Sequence, residues 1–159
     1  VDAVKMMNRI ITQTEADPYY REVIDASRTP PRAEMADAIG DAMRRVADLL
    51  QVAVTVAHTR SGFSALRMAR ERPKAPIIGM TPRLATARRL ALVWGVHAVL
   101  THKIADVLEM TEFAGQAALK EDFAQTGQTI VISAGMPFGT PGTTNLLRIA
   151  RIDRGSVPS

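Results

Sequence analysis

Thr59-Arg60-Ser61-Gly62-Phe63-Ser64 is the stretch of this chain best equipped for chemistry. It gathers three hydroxyls, a guanidinium and a glycine where an apolar run, Ala53-Val54-Thr55-Val56-Ala57, gives way to a helical pattern. A turn at that place presents several backbone N–H groups and the positive end of a helix dipole to one small anion. Gly62 lets the backbone approach a ligand closely, Thr59, Ser61 and Ser64 can each donate a hydroxyl hydrogen bond, and Arg60 brings charge. This is the chemistry of a phosphate cradle, with no group to attack or transfer the phosphate. The competing reading is a plain helix cap, with Ser61 ahead of a helix that starts near Phe63.

Catalytic arrangements around these residues are incomplete. His58 stands shortly before Ser61, but a serine nucleophile needs an oriented base, a third group and an oxyanion site, and no Gly-x-Ser-x-Gly elbow occurs. His97 and His102 flank a predicted strand with no carboxylate or histidine at ligand spacing, so no zinc site is expected. Gly135, Gly139 and Gly142 do not match Gly-x-Gly-x-x-Gly, and no Gly-Lys-[Ser/Thr] follows, which argues against dinucleotide and Walker-type sites. The chain has no cysteine, which removes disulfides, thiolate metal sites and thiol catalysis. No catalytic residue and no metal ligand is assigned.

A cradle of this kind needs a sheet to hold it. Short β-rich runs at 53–58, 76–80 and 97–101 are separated by helical segments near 62–71 and 82–93, and a helix over about 105–119 precedes a fourth strand, Thr129 to Ser133. Trp94 is expected to end a helix, with Gly95 as its C-cap. Strands apolar on both faces and joined by helices imply a parallel sheet covered on both sides. A fifth run, Leu146 to Ile152, follows only a glycine-rich loop; with no helix to cross over, it should return antiparallel at an edge. The expected fold is α/β, a three-layer open sheet of about five strands, mostly parallel with one antiparallel edge strand and helices on both faces. In such sheets ligands settle at the carboxyl ends of strands, beside the place where strand order reverses. The 59–64 loop leaves the first strand there and the Gly135 to Gly142 loop leaves the fourth, so Gly139, Thr140 and Gly142 are expected to face the cradle.

Ahead of this pattern, a helix is expected from Asp2 to about Glu15, capped by Asp2, with Val4, Met7, Ile10 and Ile11 on one face. Asp17-Pro18-Tyr19-Tyr20 and Thr29-Pro30-Pro31 bracket what reads as a connector rather than a compact element. A second helix covers about Arg32 to Leu50, with an apolar stripe of Met35, Ala38, Ile39, Ala42, Met43, Val46 and Leu49 assigned to the chain's own core. Met6, Met7, Met35 and Met43 read as core or interface filler. The division is therefore 1–16 helix, 17–31 connector, 32–153 α/β domain and 154–159 tail.

Bulk properties agree with one ordinary domain. The chain has 159 residues, 47% hydrophobic, and a mean hydropathy near zero, as expected of a soluble globular protein. No apolar run approaches membrane-spanning length, the N-terminus lacks a signal-peptide pattern, and a cytoplasmic address is the default. Val1 in place of an initiating methionine suggests a fragment. The net charge is +4, but Arg44-Arg45, Arg67/Arg70/Arg72 and Arg88-Arg89 are scattered over separate helices and only 4% of residues are aromatic, so neither a nucleic-acid groove nor a membrane surface is expected.

Longer segments carry a family likeness. Ala87-Arg88-Arg89-Leu90-Ala91-Leu92-Val93-Trp94-Gly95-Val96, Arg72-Pro73-Lys74-Ala75-Pro76-Ile77-Ile78 with Thr81-Pro82, and Gly142-Thr143-Thr144-Asn145-Leu146-Leu147 resemble the C-terminal domain of pyruvate kinases. Val4-Lys5-Met6-Met7-Asn8-Arg9-Ile10 resembles the helix that follows the family's catalytic barrel. The resemblance implies a regulatory and assembly module of an enzyme that transfers phosphoryl from phosphoenolpyruvate to ADP, using magnesium and usually potassium, on a barrel missing here. The residues present should not turn over substrate and need no cofactor of their own. Implied partners are the chain's own catalytic domain, further copies in a tetramer, and a phosphorylated small-molecule effector. Thr59, Ser61, Gly62 and Ser64 match the family's phosphate loop. Phe63 stands where relatives are often polar or basic, Arg60 where lysine is common, and the 136–141 loop lacks the basic residue or tryptophan that serves a second phosphate, which favours a monophosphate effector. Two alternatives stay open: a structural oligomerisation domain that binds no effector, and a free-standing phosphate-binding protein.

Overall fold

The computed structural model describes residues 1–140 and 142–153; Pro141, within the glycine-rich loop, and the expected 154–159 tail lie outside them. Contacts divide the chain after Pro30. The first unit holds α1 (Asp2–Ala16) and α2 (Pro18–Ala26). Val1 occupies the N-cap of α1, so Asp2 sits inside the first turn and not at the cap. Its apolar residues Val4, Met7, Ile10 and Ile11 are exposed. The stretch read as a connector carries α2, because Asp17 accepts the Tyr19 N–H at 2.8 Å and Pro18 takes N1, where its missing N–H costs nothing. The same Asp-Pro pair that reads as turn punctuation is a helix start.

The second unit is built on α3 (Met35–Leu50), β1 (Val54–His58), α4 (Phe63–Arg70), β2 (Ile77–Thr81), α5 (Leu84–Leu90), β3 (Val96–Leu100), α6 (Val107–Lys120), β4 (Thr129–Gly135) and β5 (Thr144–Arg151). The sheet order is β3-β2-β1-β4-β5. Its first four strands are parallel, and β5 returns antiparallel on β4 with a bulge at Ala134/Gly135. Side chains alternate across the sheet: Val54, Val56, Ile130 and Ile132 pack with Met110, Ala114 and Ala118 of α6. Val131 and Ile77 pack on the other face with Met43 and Ala47 of α3 and Met68 of α4, while Ala57 meets Ala65 and Leu90. The result is the three-layer α/β arrangement expected, with the antiparallel strand at an edge.

Local differences have physical causes. Helix α3 buries Ala36, Asp37, Gly40, Met43 and Ala47 and leaves Met35 and Leu49 66% and 82% exposed, so its inward face is rotated from the apolar stripe. What turns it is polar: the Asp37 carboxylate is buried against Arg67 and Arg70 of α4. Helix α5 ends at Leu90, well short of Trp94, whose ring stacks under the Arg72 guanidinium at 3.9 Å. Of the four methionines read as filler, Met43 is fully buried whereas Met6, Met7 and Met35 are exposed. Among the described residues, no helix is long and apolar enough to cross a membrane.

Candidate functional site

The strand order reverses between β1 and β4, because the chain moves from β1 out to β3 and then returns to the other side of β1. The loops leaving β1 and β4 therefore rise side by side at the carboxyl ends of the strands. They meet in a narrow cleft of about 30 Å³ lined by His58, Thr59, Arg60, Ser61, Phe63 and Ser64 from one side and Gly135, Thr140, Gly142, Thr143 and Thr144 from the other. Among the described residues, three contacts tie the two sides. The Arg60 Nη1 donates to the Gly139 carbonyl at 3.1 Å, the Ser64 and Thr144 hydroxyls share a hydrogen bond of 2.6 Å, and the His58 and Phe138 rings meet edge to face at 5.0 Å.

Of the residues singled out from the sequence, Thr59, Arg60, Ser61, Phe63, Ser64, Thr140 and Gly142 line this cleft. Gly139 contributes its carbonyl to Arg60, and Gly62 lies behind the wall. The helix-cap reading of Ser61 fails: Gly62 is the N-cap of α4, and no side chain bonds the first turn. Thr59 Oγ1 instead accepts the Gly62 N–H at 3.0 Å, closing the turn from within. Gly62 has φ +91°, a conformation that glycine adopts without the steric penalty of a Cβ. Among the described residues, the N–H groups of Ser61, Phe63 and Ser64 meet no acceptor, so three donors remain around the cleft.

Residues not singled out from the sequence complete the wall. Thr143 and Thr144 belong to a segment legible only by family likeness, and Phe138 meets across the loops the ring of His58, weighed from the sequence only as a base. Behind the loop, Thr86 Oγ1 donates to the Arg60 carbonyl at 3.0 Å and Arg89 Nη2 to the Ser61 carbonyl at 2.9 Å, both from α5. On the other flank, the Arg67 guanidinium lies 4.4 Å over the Phe63 ring and pairs with Asp37 of α3. No periodicity or short motif marks the Thr86, Arg89 and Asp37 partners, since each lies far along the chain from the residue it meets.

Burial depresses the pKa of His58 below its ordinary value, so the ring is neutral at pH 7. The other two histidines do have carboxylate partners, contrary to the expectation from spacing: His97 Nε2 lies 2.8 Å from Glu121 Oε2 and His102 Nε2 lies 2.5 Å from Glu109 Oε1. The Glu109 pKa is lowered, first by the Ala105 N–H and then by His102. Each histidine has one carboxylate, and no group of three or more potential metal ligands occurs among the described residues.

A family model described as pyruvate kinase, alpha/beta domain, matches residues 37–150. The chain is 42% identical over 154 residues to a pyruvate kinase of Methylorubrum extorquens, covering 97% of this chain and 32% of that protein. It is 39% identical over 156 residues to one of Agrobacterium vitis, covering 95% and 32%, and 38% identical over 149 residues to one of Geobacillus stearothermophilus, covering 94% and 25%. The chain thus spans about a quarter to a third of the length of these relatives.

Proposed function

The chain belongs to the pyruvate kinase family through its alpha/beta domain, and from that premise we propose that it is the regulatory and assembly domain of a pyruvate kinase, binding a phosphorylated effector at the 59–64 loop. The parent enzyme transfers phosphoryl from phosphoenolpyruvate to ADP in the cytoplasm, with magnesium and potassium held on its catalytic domain and not here. The observation that carries the effector reading is the convergence of the β1 and β4 loops at the strand-order reversal, with the Ser61, Phe63 and Ser64 N–H groups unclaimed beside three hydroxyls. These are donors in the positions an anion needs.

The phosphate sits on the α4 N-terminus and the Thr59, Ser61 and Ser64 hydroxyls, and the sugar lies under the loop that carries Gly139, Thr140 and Gly142. The cleft is too small for a sugar, so the loop parts to admit it, releasing Arg60 from the Gly139 carbonyl, and closes again with Arg60 on the ligand. With no other basic residue in the 136–140 segment, a monophosphate is the preferred class. Closure shifts the parent's equilibrium only by its differential affinity for two states, typically about 1–3 kcal/mol. Exposed Met35 and Leu49 on α3 support the assembly role, in which further copies of the chain cover them.

Calorimetric titration with ribose 5-phosphate, glucose 6-phosphate, AMP and fructose 1,6-bisphosphate tests this reading. Saturable binding is expected for a monophosphate, weakened about tenfold in Ser61→Ala by loss of a hydrogen bond to a charged group. No heat from any of the four ligands refutes effector binding and leaves the structural domain, whose self-association sedimentation would report.

A further inference from the structure

We propose that α5 is the positioning element of the phosphate loop: Thr86 and Arg89 hold two successive loop carbonyls away from the cleft, so that only N–H groups and hydroxyls face an anion. This rests on the reading of the 59–64 loop as an anion site and adds residues that lie outside it. Thr86 binds the Arg60 carbonyl and Arg89 the Ser61 carbonyl. Across a trans peptide, a carbonyl and the following N–H point to opposite sides. Drawing the Arg60 carbonyl toward α5 therefore turns the Ser61 N–H away from α5, and drawing the Ser61 carbonyl does the same for the Gly62 N–H.

The second half of this deduction has an internal check. The Gly62 N–H is found on Thr59 Oγ1, and Thr59 lines the cleft. Gly62 rests directly on α5: a Cβ there would meet Thr86 Cγ2 at 3.4 Å and Leu90 Cδ2 at 3.5 Å. Three successive residues of the loop are thus seated on one helix by two hydrogen bonds and a packing contact.

The arrangement selects ligand chemistry. If the peptide between Arg60 and Ser61 flipped, a carbonyl oxygen would enter the cleft and repel a phosphate. Thr86 is 3% exposed, so a flip would also leave its buried hydroxyl without the partner it now has, a cost that opposes the flip. Arg89 adds a positive charge to the same peptide groups, which strengthens the N–H groups as donors to a dianionic phosphomonoester. Removing either clamp should weaken phosphate binding although neither side chain lines the cleft.

The test is a titration of the ¹⁵N-labelled chain with inorganic phosphate and with glucose 6-phosphate, in the wild type and in Thr86→Val, Thr86→Ser and Arg89→Met. In the wild type the Ser61, Phe63 and Ser64 amide resonances should shift on saturation. Thr86→Val should raise Kd about three- to tenfold, the worth of one hydrogen bond, and abolish the Ser61 shift, while Thr86→Ser restores both; Arg89→Met should raise Kd by a similar factor and move the Gly62 amide resonance of the free chain. The rescue and the Ser61 resonance separate orientation of the loop from loss of stability or of charge. Should Thr86→Val fail to fold, Arg89→Met, altered at an exposed side chain, decides by its Kd and by the Gly62 resonance. Wild-type affinity and an unchanged Ser61 shift in the variants overturn the role of α5 and leave the anion site standing. Weakened binding in Thr86→Val with the Ser61 shift intact, or in Arg89→Met with the Gly62 resonance unmoved, also overturns it. Absence of binding by the wild type overturns both readings.

Discussion

Removal of the Asp37 carboxylate should be costly even though it leaves the apolar core of the second unit intact. The Asp37 side chain is 0% exposed, ion-paired to Arg67 Nη1 and to Arg70 Nη2 at 3.3 Å, and its Oδ2 accepts the Arg32 N–H at 3.2 Å. In Asp37→Ala, Arg67, only 18% exposed, keeps Glu34 at 3.1 Å, whose side chain is 51% exposed, and the Arg32 N–H loses its acceptor. Breaking a buried pair from one side typically costs about 3–5 kcal/mol. Arg70 is half-exposed and can turn to water, and Arg67 retains Glu34, so the low end, about 3 kcal/mol, is expected.

Substituting both partners, as Asp37→Leu with Arg67→Met, leaves no buried charge to desolvate and should lie within about 1 kcal/mol of the wild type. Urea denaturation measures both, and with a slope of about 1–3 kcal/mol per molar the single variant should move the midpoint by at least about 1 M. Two results refute the reasoning: a cost below about 1 kcal/mol for Asp37→Ala, or a double variant as unstable as the single one. The first would mean that the carboxylate gains nothing over water; the second would mean that volume and not charge governs the contact between α3 and α4.

Two further outcomes follow from the cleft. Gly62→Ala meets ordinary contact distances on α5, so its cost is the left-handed backbone, about 1–2 kcal/mol, read as a lower urea midpoint; no change in midpoint would show that the loop relaxes freely. His58, whose pKa burial lowers from 6.5, stays neutral in the fold while the unfolded chain takes up a proton. Its contribution is therefore complete above pH 6.5 and is lost as pH falls from there through the depressed folded value. Urea midpoints measured from about pH 7.5 to about pH 5 should show a smaller decline in His58→Phe than in the wild type, and parallel curves would count against a neutral buried imidazole.

Much of this architecture is legible in the residues themselves, for reasons that are local. The inner strands are short apolar runs and the helices between them carry helical periodicity, so their alternation from Val54 onward follows from composition over windows of a few residues. The placement of β5 is legible too, since the eight residues between β4 and β5, 136–143, are too few for a parallel crossover. The 59–64 loop stands out because glycine and hydroxyls cluster at a strand end. The misreadings are equally local in origin. Asp17-Pro18 carries both a turn signal and a helix-start signal, and an apolar stripe on α3 cannot register that Asp37 and Gly40 face inward.

By itself, then, the amino-acid sequence determined the order of elements from α3 onward, the α/β class, the donor-rich loop and the family to which the chain belongs, all of them properties of residues near one another or of the pattern as a whole. Only the tertiary structure decided that β4 lies beside β1, that Ser64 meets Thr144 eighty residues away, that Arg60 reaches Gly139, and that α5 holds the Arg60 and Ser61 carbonyls. Strand order is the outcome of a competition among non-local pairings that bury similar apolar area, and no window of sequence reports which pairing wins. A cleft assembled from the 58–64 loop, the 135–144 segment and α5 becomes visible only after that competition is settled.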